Sequence, residues 1–557
     1  MKRFFTILIA VSALAVSASA QDSYYAELLS RNNYYGTARS IALGGAMTAL
    51  GGDLGSITYN PAGSAVNDYC QFTISPGLVI SSTGASYDPL GKESYDRSLR
   101  TKHTKFIMPN MGLNLVFYPE DSAWITATSL GFIANTTNNY LSYSSAGGVN
   151  SATSFLAGLA SGANGLSYNN MPLALITAYD ANQFGEYGPV GSYRYVGNNE
   201  ALSADETRHY IPGQLNQNAI YNTWGSKTDY ISNIGFNVGD VFYFGFNLGI
   251  TALAYRREEF FTESAVQPEQ FPIIMYDEAG GLVKANYLNS SNGYKLNSNA
   301  IGIYGRFGFI WLPSGNIRIG AAIQTPTAFE VNEEWSYSAK STYDLAAFDG
   351  SASNSASDTY NFRAPYIVDA GIAYTVPGVG LLSLDYELTD YSVMKYSYPD
   401  TDFLAEDLWA TTNYINRTFC GVSHSVRAGV EFKPMPSLAL RAGYSFVSDP
   451  EKWFKDSNGN RVNAETWQGY NQILSGGGHF DSYTHAISAG LGYSSPGSFF
   501  FDLALRSTFY PQTYYAPYYY ACSDVMDKDG VRLNTAAPME ILDRALVDVV
   551  ATLGWRF

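Results

Sequence analysis

The last thirteen residues, ALVDVVATLGWRF from Ala545 to Phe557, decide the fold class. Every second residue from Ala545 onward is apolar, whereas the positions between them include Asp548, Thr552 and Arg556. Successive side chains of a β-strand point to opposite faces. The stretch therefore predicts a strand with one apolar face and one face that carries opposite charges.

The same alternation recurs along the chain, over 242–252, 317–324, 382–388, 438–445 and 499–506. A soluble β-sandwich also alternates, but it turns its apolar face inward and needs many charges outside. Charged residues make up only 15% of this chain, against roughly 25% in an average soluble domain. The pattern therefore favours a β-barrel whose outer face lies in lipid.

Composition excludes several other classes of protein. The 557 residues include 33 Lys and Arg against 49 Asp and Glu, a net charge of −16, so no nucleic-acid partner is expected. A hydrophobic fraction of 46% argues against disorder. Outside the N-terminus, no apolar run reaches the roughly 18 residues that a membrane-spanning helix needs.

The spacing of turn signals predicts about 14 strands in an antiparallel transmembrane β-barrel. The strands are expected to begin near residues 69, 104, 123, 228, 241, 300, 316, 364, 380, 418, 438, 483, 498 and 545. Short turns alternate with long polar connections at 84–103, 136–223, 257–297, 331–358, 397–416, 449–480 and 511–543. This is typical of bacterial outer-membrane barrels. Aromatic residues expected at the membrane interfaces are Tyr118, Trp124, Tyr255, Trp311, Tyr444 and Trp555.

The first twenty residues predict a signal peptide. Lys2 and Arg3 precede an apolar stretch over 4–16, and small residues lead to Ala20. A short membrane anchor is the alternative. We expect cleavage between Ala20 and Gln21, and localisation in the outer membrane of a Gram-negative type of cell.

The interior of a fourteen-stranded barrel is wide unless something fills it. Residues 21–68 precede the first strand, do not alternate in polarity and are rich in small side chains. We therefore expect three parts: a signal peptide at 1–20, a hatch or plug inside the lumen at 21–68, and the barrel at 69–557. A loose periplasmic tail is the alternative for 21–68.

Part of this N-terminal stretch resembles a known family. GGA at 44–46, Asp53 and YNPAG at 59–63 are similar to the hatch signature of FadL/TodX outer-membrane transporters of hydrophobic compounds. Asn60, Pro61 and Ala62 are the most specific of these residues. The resemblance implies passive uptake of hydrophobic molecules such as long-chain fatty acids. It also implies collection of the ligand at outer loops and lateral exit through a gap in the wall beside a kinked strand.

A ligand site is predicted in the loop at 153–179, where apolar residues interrupt a polar connection. The candidate ligand-binding residues are Phe155, Leu156, Leu159, Leu173, Leu175 and Ile176. An exposed apolar patch usually marks a binding surface. The alternative is that these residues pack the loop against itself.

Charges of both signs fall on the inward-facing parity. The candidates are Arg318, Asp385, Arg427, Arg441 and Arg506. One interpretation is a network of ion pairs that holds the plug, since a buried charge must be paired. The other is that one arginine binds a ligand carboxylate.

We expect no enzymatic activity, metal or cofactor. The three cysteines form no metal-binding motif, and Ser423, His424 and Ser425 are the one local Ser/His cluster, with His424 on the lipid-facing parity. The expected function is passive import of hydrophobic small molecules. The alternatives are a receptor for another ligand such as a haem-like molecule, for which His209, Tyr210 and His479 are available, or a general porin.

The expected partners are outer-membrane lipid, a hydrophobic ligand and the barrel-insertion machinery. The terminal Phe557 is the residue expected to engage that machinery. We expect a monomer.

Overall fold

The computed structural model describes residues 23–88, 99–119, 124–189, 191–202, 209–276, 281–399, 403–451, 454–455, 461–462, 483–511, 513–515, 518 and 539–557. The predicted signal peptide, Cys522 and His479 lie outside the described residues.

Fourteen antiparallel strands close into a barrel. They are β1 (Gln71–Asp88), β2 (Leu99–Phe117), β3 (Ile125–Asn139, continued by Ser142–Asn150), β4 (Leu215–Val238), β5 (Phe242–Ala265), β6 (Leu282–Ser314), β7 (Ile317–Gln324, continued by Ala328–Tyr343), β8 (Gly350–Arg363, continued by Ile367–Val376), β9 (Gly380–Asp390), β10 (Val422–Met435), β11 (Leu438–Ser448), β12 (Tyr483–Ser494), β13 (Phe499–Phe509) and β14 (Met539–Arg556). β14 closes the barrel by pairing with β1: Arg556 lies opposite Gln71 at one end, and Met539 lies opposite Asp88 at the other. The predicted transmembrane barrel is confirmed.

The outer and inner faces follow the predicted parity. On β5, Phe242, Phe246 and Ile250 point outward and are 42%, 46% and 47% exposed, whereas Asn247 and Thr251 are buried inside. The outer face is a continuous apolar surface that suits lipid. Tyr255 was expected at an interface, but it lies inside and is 1% exposed, because its odd number places it on the inner parity of β5.

Several strands are longer than predicted. Most of the expected connections at 257–297 and 331–358 are strand, since β5 reaches Ala265, β6 begins at Leu282 and β7 reaches Tyr343. The prediction was wrong there because the outward residues of these extensions are mostly polar, although inward residues such as Tyr294 and Leu296 are apolar and buried. The extensions therefore lack the apolar outer face that marks a strand within the membrane.

The helices are short. They are α1 (Ser23–Ser30), α2 (Ala38–Ala42), α3 (Ser56–Tyr59), α4 (Phe155–Ala163), α5 (Leu173–Asp180) and α6 (Phe403–Phe419), with 3₁₀ helices at Pro61–Val66, Tyr168–Asn170, Pro268–Gln270, Ala346–Phe348 and Tyr391–Val393. Among the described residues, no helix combines the length and the apolar character that crossing a bilayer requires. Three short strands pair with barrel strands: Pro272–Tyr276 with β6, Lys395–Ser397 with β8 and Thr513–Tyr515 with β14. The other short strands are Phe184–Glu186, Tyr195–Gly197, Ala201–Leu202, His209–Tyr210, Phe454–Lys455 and Arg461–Val462.

Residues 23–67, which we call the N-terminal segment, pack against inward-facing residues of the strands. Its helices α2 and α3 are almost fully buried. Inward-facing glycines make room for its backbone. They are Gly235, Gly245, Gly308, Gly320, Gly371, Gly429, Gly443 and Gly490. A Cβ at Gly308 would overlap the Asn60 side chain, and one at Gly245 would overlap Pro61. The N-terminal segment therefore lies in direct contact with the backbone of the wall at these glycines.

Candidate functional site

Asn60 joins three parts of the molecule. It is fully buried between α3 and the 3₁₀ helix that follows. Its Oδ1 accepts a hydrogen bond from the Ala62 N–H at 3.1 Å. Its Nδ2 donates to the carbonyl of Thr48 at 2.7 Å and to that of Phe309, on β6, at 3.0 Å. The Asn60 side chain therefore bonds to two other residues of the N-terminal segment and to one strand of the wall.

Asparagines of β2, β4 and β5 hold the same part of the segment with uncharged contacts. Asn233 donates to the carbonyl of Pro61 at 3.0 Å. Asn247 donates to the carbonyl of Ile57 at 2.8 Å, and Asn114 donates to that of Ser64 at 3.2 Å. We did not predict these asparagines, although their inward parity and repeated occurrence in strands were visible in the sequence.

Charged side chains hold the segment from the other side of the lumen. Arg318 donates to the carbonyl of Leu50. Asp385 accepts from the Thr48 N–H at 2.6 Å. Arg506 donates to the Tyr34 carbonyl at 2.7 Å and pairs with Asp548, Nε to Oδ2 at 2.9 Å. Arg441 pairs with Glu431 at 2.7 Å and with Asp502.

Arg427 is the most enclosed of the predicted lumen arginines. It pairs with Glu387 at 2.5 Å and lies 3.5 Å from Asp369. Its guanidinium also lies over the rings of Tyr34 and Tyr59, 5.4 and 5.1 Å from their centroids, in cation–π geometry. Each of the four predicted arginines thus has a partner within the protein. Arg318, Arg427 and Arg506 contact the segment directly. Arg441 shares Glu431 with Arg39 of the segment.

The wall has a seam between β2 and β3. Their pairing begins where Phe117 lies opposite Thr128 and ends where Asn110 lies opposite Asn135. Among the described residues, 99–109 of β2 then pair only with β1, and 136–150 of β3 pair only with β4. The β3–β4 register shifts between Thr136 and Asn138, where β3 bends away from β2.

The N-terminal segment bonds to the part of the β3 edge that does not pair with β2. The backbone N–H of Asn33 donates to the carbonyl of Thr137 at 2.7 Å, and that of Tyr35 donates to the carbonyl of Thr136 at 3.0 Å. An unpaired strand edge is highly unfavourable within a membrane. The segment therefore supplies hydrogen-bond donors to backbone carbonyls of β3 at a place where β2, over the residues that the structure describes, does not pair with β3.

Lys227 connects the same region to α1. Its Nζ donates to the carbonyls of Leu29, Ser30 and Arg31, at 3.1, 3.1 and 2.9 Å. These carbonyls lie at or just beyond the C-terminal end of α1, where helix carbonyls lack partners and a positive charge is favourable. Asn138 donates to the Arg31 carbonyl at 3.1 Å.

Arg544, on β14, bonds to the backbone at the bend of β3. Its Nη2 donates to the carbonyls of Asn139 and Leu141, at 3.3 and 3.0 Å. Its guanidinium lies 4.3 Å from the centre of the Tyr510 ring. We did not predict this residue, because nothing local in the sequence links β14 to residues 139–141.

Aromatic side chains stand at the seam. The His103 ring, from β2, stacks on Tyr143 with centroids 4.4 Å apart, and Tyr143 stacks on Trp224 at 6.4 Å. Tyr35 and Leu141 are buried behind them in one apolar cluster. The seam is thus lined by rings and backed by the N-terminal segment.

An aromatic cluster surrounds α1 in the upper lumen. Its ring-bearing members are Tyr25, Tyr140, Tyr255, Tyr294, Phe329, Tyr360, Phe362, Tyr391, Tyr396 and Trp409. The rings of Tyr396 and Trp409 lie nearly parallel, with their centroids 4.7 Å apart. The cluster is apolar and lies on the same side of the segment as the outer loops.

The six predicted ligand residues of the 153–179 loop lie in α4 and α5 but not in one pocket. Phe155 stacks on Phe261 at 4.8 Å. Leu156 is buried in a cluster with Leu215, and Leu175 in another with Met171. The remaining three are half-buried, namely Leu159, Leu173 and Ile176.

The residues considered for other functions are separated or already bonded. Burial lowers the pKa of His209, and its Nε2 lies 2.9 Å from the Tyr187 hydroxyl. His424 points outward, whereas Ser423 and Ser425 point into the lumen.

No protein-family model and no curated protein matches the sequence. Solved structures do resemble the fold. The Pseudomonas putida toluene transporter TodX is 12% identical, with 95% of this chain and 100% of that chain covered and a TM-score of 0.46. A Pseudomonas aeruginosa FadL homologue is 11% identical, with 93% and 98% covered and a TM-score of 0.46.

Proposed function

We propose that this protein imports hydrophobic small molecules, such as long-chain fatty acids, passively across the outer membrane of a Gram-negative type of cell. Residues 21–68 act as the hatch. No covalent chemistry takes part. The continuous apolar outer face and the polar lumen occupied by the N-terminal segment support this proposal.

One observation carries it: the segment, and not β2, bonds to the edge of β3 at Thr136 and Thr137. Withdrawal of residues 33–35 would uncover this edge and the gap beside it at the same time. Movement of the hatch and opening of the wall are therefore one event. The exit we propose is lateral, through the seam.

A lateral exit suits an apolar ligand. An aqueous pore is a poor path for such a ligand, since exposing each CH₂ group to water costs roughly 0.8 kcal/mol of free energy. The proposed route runs from the outer loops to the aromatic cluster around α1, and then past the rings of Tyr143 and Trp224 into the membrane. The half-buried Leu159, Leu173 and Ile176, with Phe155, are the proposed collecting surface.

The assembly state and insertion also belong to this proposal. The protein acts as a monomer. Phe557, which is 68% exposed at the end of the barrel, is the residue that engages the insertion machinery.

The test replaces Tyr143, at the seam, with aspartate. A carboxylate there opposes passage of an apolar ligand, because burying a charge is highly unfavourable. Uptake of a labelled fatty acid by cells should fall, while binding of the ligand at the cell surface should not.

Tyr414→Asp is the matched control, since Tyr414 is 52% exposed on α6. Heat-dependent mobility in gels verifies that both variants fold. Normal uptake by folded Tyr143→Asp would reject lateral exit at this seam.

A further inference from the structure

The outer face of the barrel carries a groove of about 570 Å³ across β8 to β11. Its sides are formed by large outward side chains, namely Ile372, Tyr374, Leu382, Leu384, Val430 and Tyr444. Its floor is formed by Ala428 and Ala442 and by the backbone of Gly429 and Gly443.

The depression follows from the order of side chains in the sheet. Ala428 pairs with Tyr444, and Val430 pairs with Ala442, so small and large side chains alternate across β10 and β11. Leu384 and Leu382 stand beside them on β9. The small residues leave a hollow that the neighbouring large ones enclose.

The wall behind this hollow is a single backbone thick. A Cβ at Gly429 would lie 2.5 Å from the carbonyl oxygen of Leu43, and one at Gly443 would overlap the backbone nitrogen of Gly44. The N-terminal segment therefore presses on the inner side of the wall at the place where the groove hollows the outer side.

The groove lies in the periplasmic half of the membrane. The short turns mark the periplasmic rim, and Ala442 lies only four residues from Leu438, where β11 begins. At ~3.3 Å per residue and a strand tilt of ~40°, this places Ala442 about 10 Å from the rim, within an apolar band about 25 Å tall.

We propose that this groove binds one acyl chain of a phospholipid from the periplasmic leaflet. It is continuous with the lipid-facing surface, since Ile372, Leu382 and Val430 are 50%, 58% and 40% exposed on that face. An acyl chain in the bilayer is already out of water, so van der Waals contact, and not burial of apolar surface, drives its binding. The shape of the groove selects the site, because an acyl chain makes more van der Waals contacts in a hollow than on a smooth wall.

The test uses the full-length protein in vesicles of phosphatidylethanolamine with a photoactivatable diazirine in one acyl chain. After illumination, peptide mapping should show more label at 428–430 and 442–444 than at 244–250 of β5, a stretch of lipid-facing wall outside the groove. Ala442→Phe fills the floor and should lower the label at 428–430 to the level of β5.

Ala252→Phe is the matched control, because it adds the same bulk on the outer face of β5, and it should leave the label at the groove unchanged. Heat-dependent gel mobility verifies folding. Equal labelling of groove and β5, or labelling that Ala442→Phe does not change, would overturn the proposal. Cross-linked dimers joined through 428–444 would overturn it too, since they would assign the groove to a second copy.

Discussion

The N–H of Tyr35 donates to the carbonyl of Thr136 at 3.0 Å, which joins the N-terminal segment to the bend of β3. The same tyrosine reaches β13 and β14, beyond β1 and β2, where its hydroxyl donates to Asp548 at 3.2 Å and its ring lies 4.4 Å from the Arg506 guanidinium. One residue of the segment thus links the seam to β13 and β14.

Tyr35→Ala should loosen the seam. Truncation of a buried aromatic residue typically costs about 3–5 kcal/mol, and Asp548 would also lose a hydrogen-bond donor. We expect faster amide hydrogen exchange at 133–139. Asn32→Ala is the control, since the Asn32 side chain bonds only to the Tyr34 hydroxyl in the described part of the chain. Equal exchange in both variants would refute the link.

Asn60→Ala should disturb the segment more than Pro61→Ala. The first removes the donor to the carbonyls of Thr48 and Phe309, and a buried polar group left unpaired costs about 1–3 kcal/mol. The second keeps the carbonyl that accepts from Asn233. Uptake of a labelled fatty acid by folded protein should change for Asn60→Ala. Unchanged uptake would count against a gating role.

Arg427→Gln should lower the melting temperature strongly. It leaves the buried Glu387 and Asp369 without this cation, and breaking a buried ion pair costs about 3–5 kcal/mol. Arg100→Gln serves as the comparison, because Arg100 pairs with Asp543 at the surface, where such pairs contribute about 0–1 kcal/mol. Thermal unfolding followed by gel mobility measures both. Similar shifts would show that the Arg427 network contributes little.

Leu173→Asp and Leu175→Asp should differ. Leu173 is half-buried, so its replacement should weaken binding of a labelled fatty acid at the outer face with little loss of structure. Leu175 is 3% exposed, and a buried charge there should disrupt the packing of α4 and α5, which proteolysis of the loop would detect. If Leu173→Asp binds ligand normally, the collecting surface lies elsewhere.

Vesicles that contain the native protein should not swell rapidly in sugar solutions, because residues 23–67 pack against the inward-facing glycines inside the barrel. Liposome swelling measures this directly. Rapid sugar flux would favour the general porin over the plugged importer.

Side-chain parity could be predicted from sequence because lipid forces it. Phe242 to Ile250 on β5 and Leu382 to Leu388 on β9 alternate because one face contacts lipid and the other contacts polar groups. The strand ends could not be predicted. Outside the membrane the outward face of β6 is polar, while inward residues such as Tyr294 and Leu296 are buried, so residues 282–299 lack the apolar outer face that marks a strand in lipid although they are strand.

The contacts at the seam could not be predicted either. Asn33 and Thr137 are distant in sequence, and their bond joins two backbones, which carry no residue-specific signal. The lumen charges were found by parity, but their partners were not, because pairs such as Arg506 and Asp548 depend on which strands become neighbours. Arg544 bonds to residues on the far side of the barrel closure.

The glycines of the wall carry a consequence for engineering. Gly443 faces the backbone of Gly44 so closely that one added methyl group would not fit. Alanine at this position should keep residues 43–45 from packing against β11, and the lumen beside them should then admit small solutes that the native protein excludes.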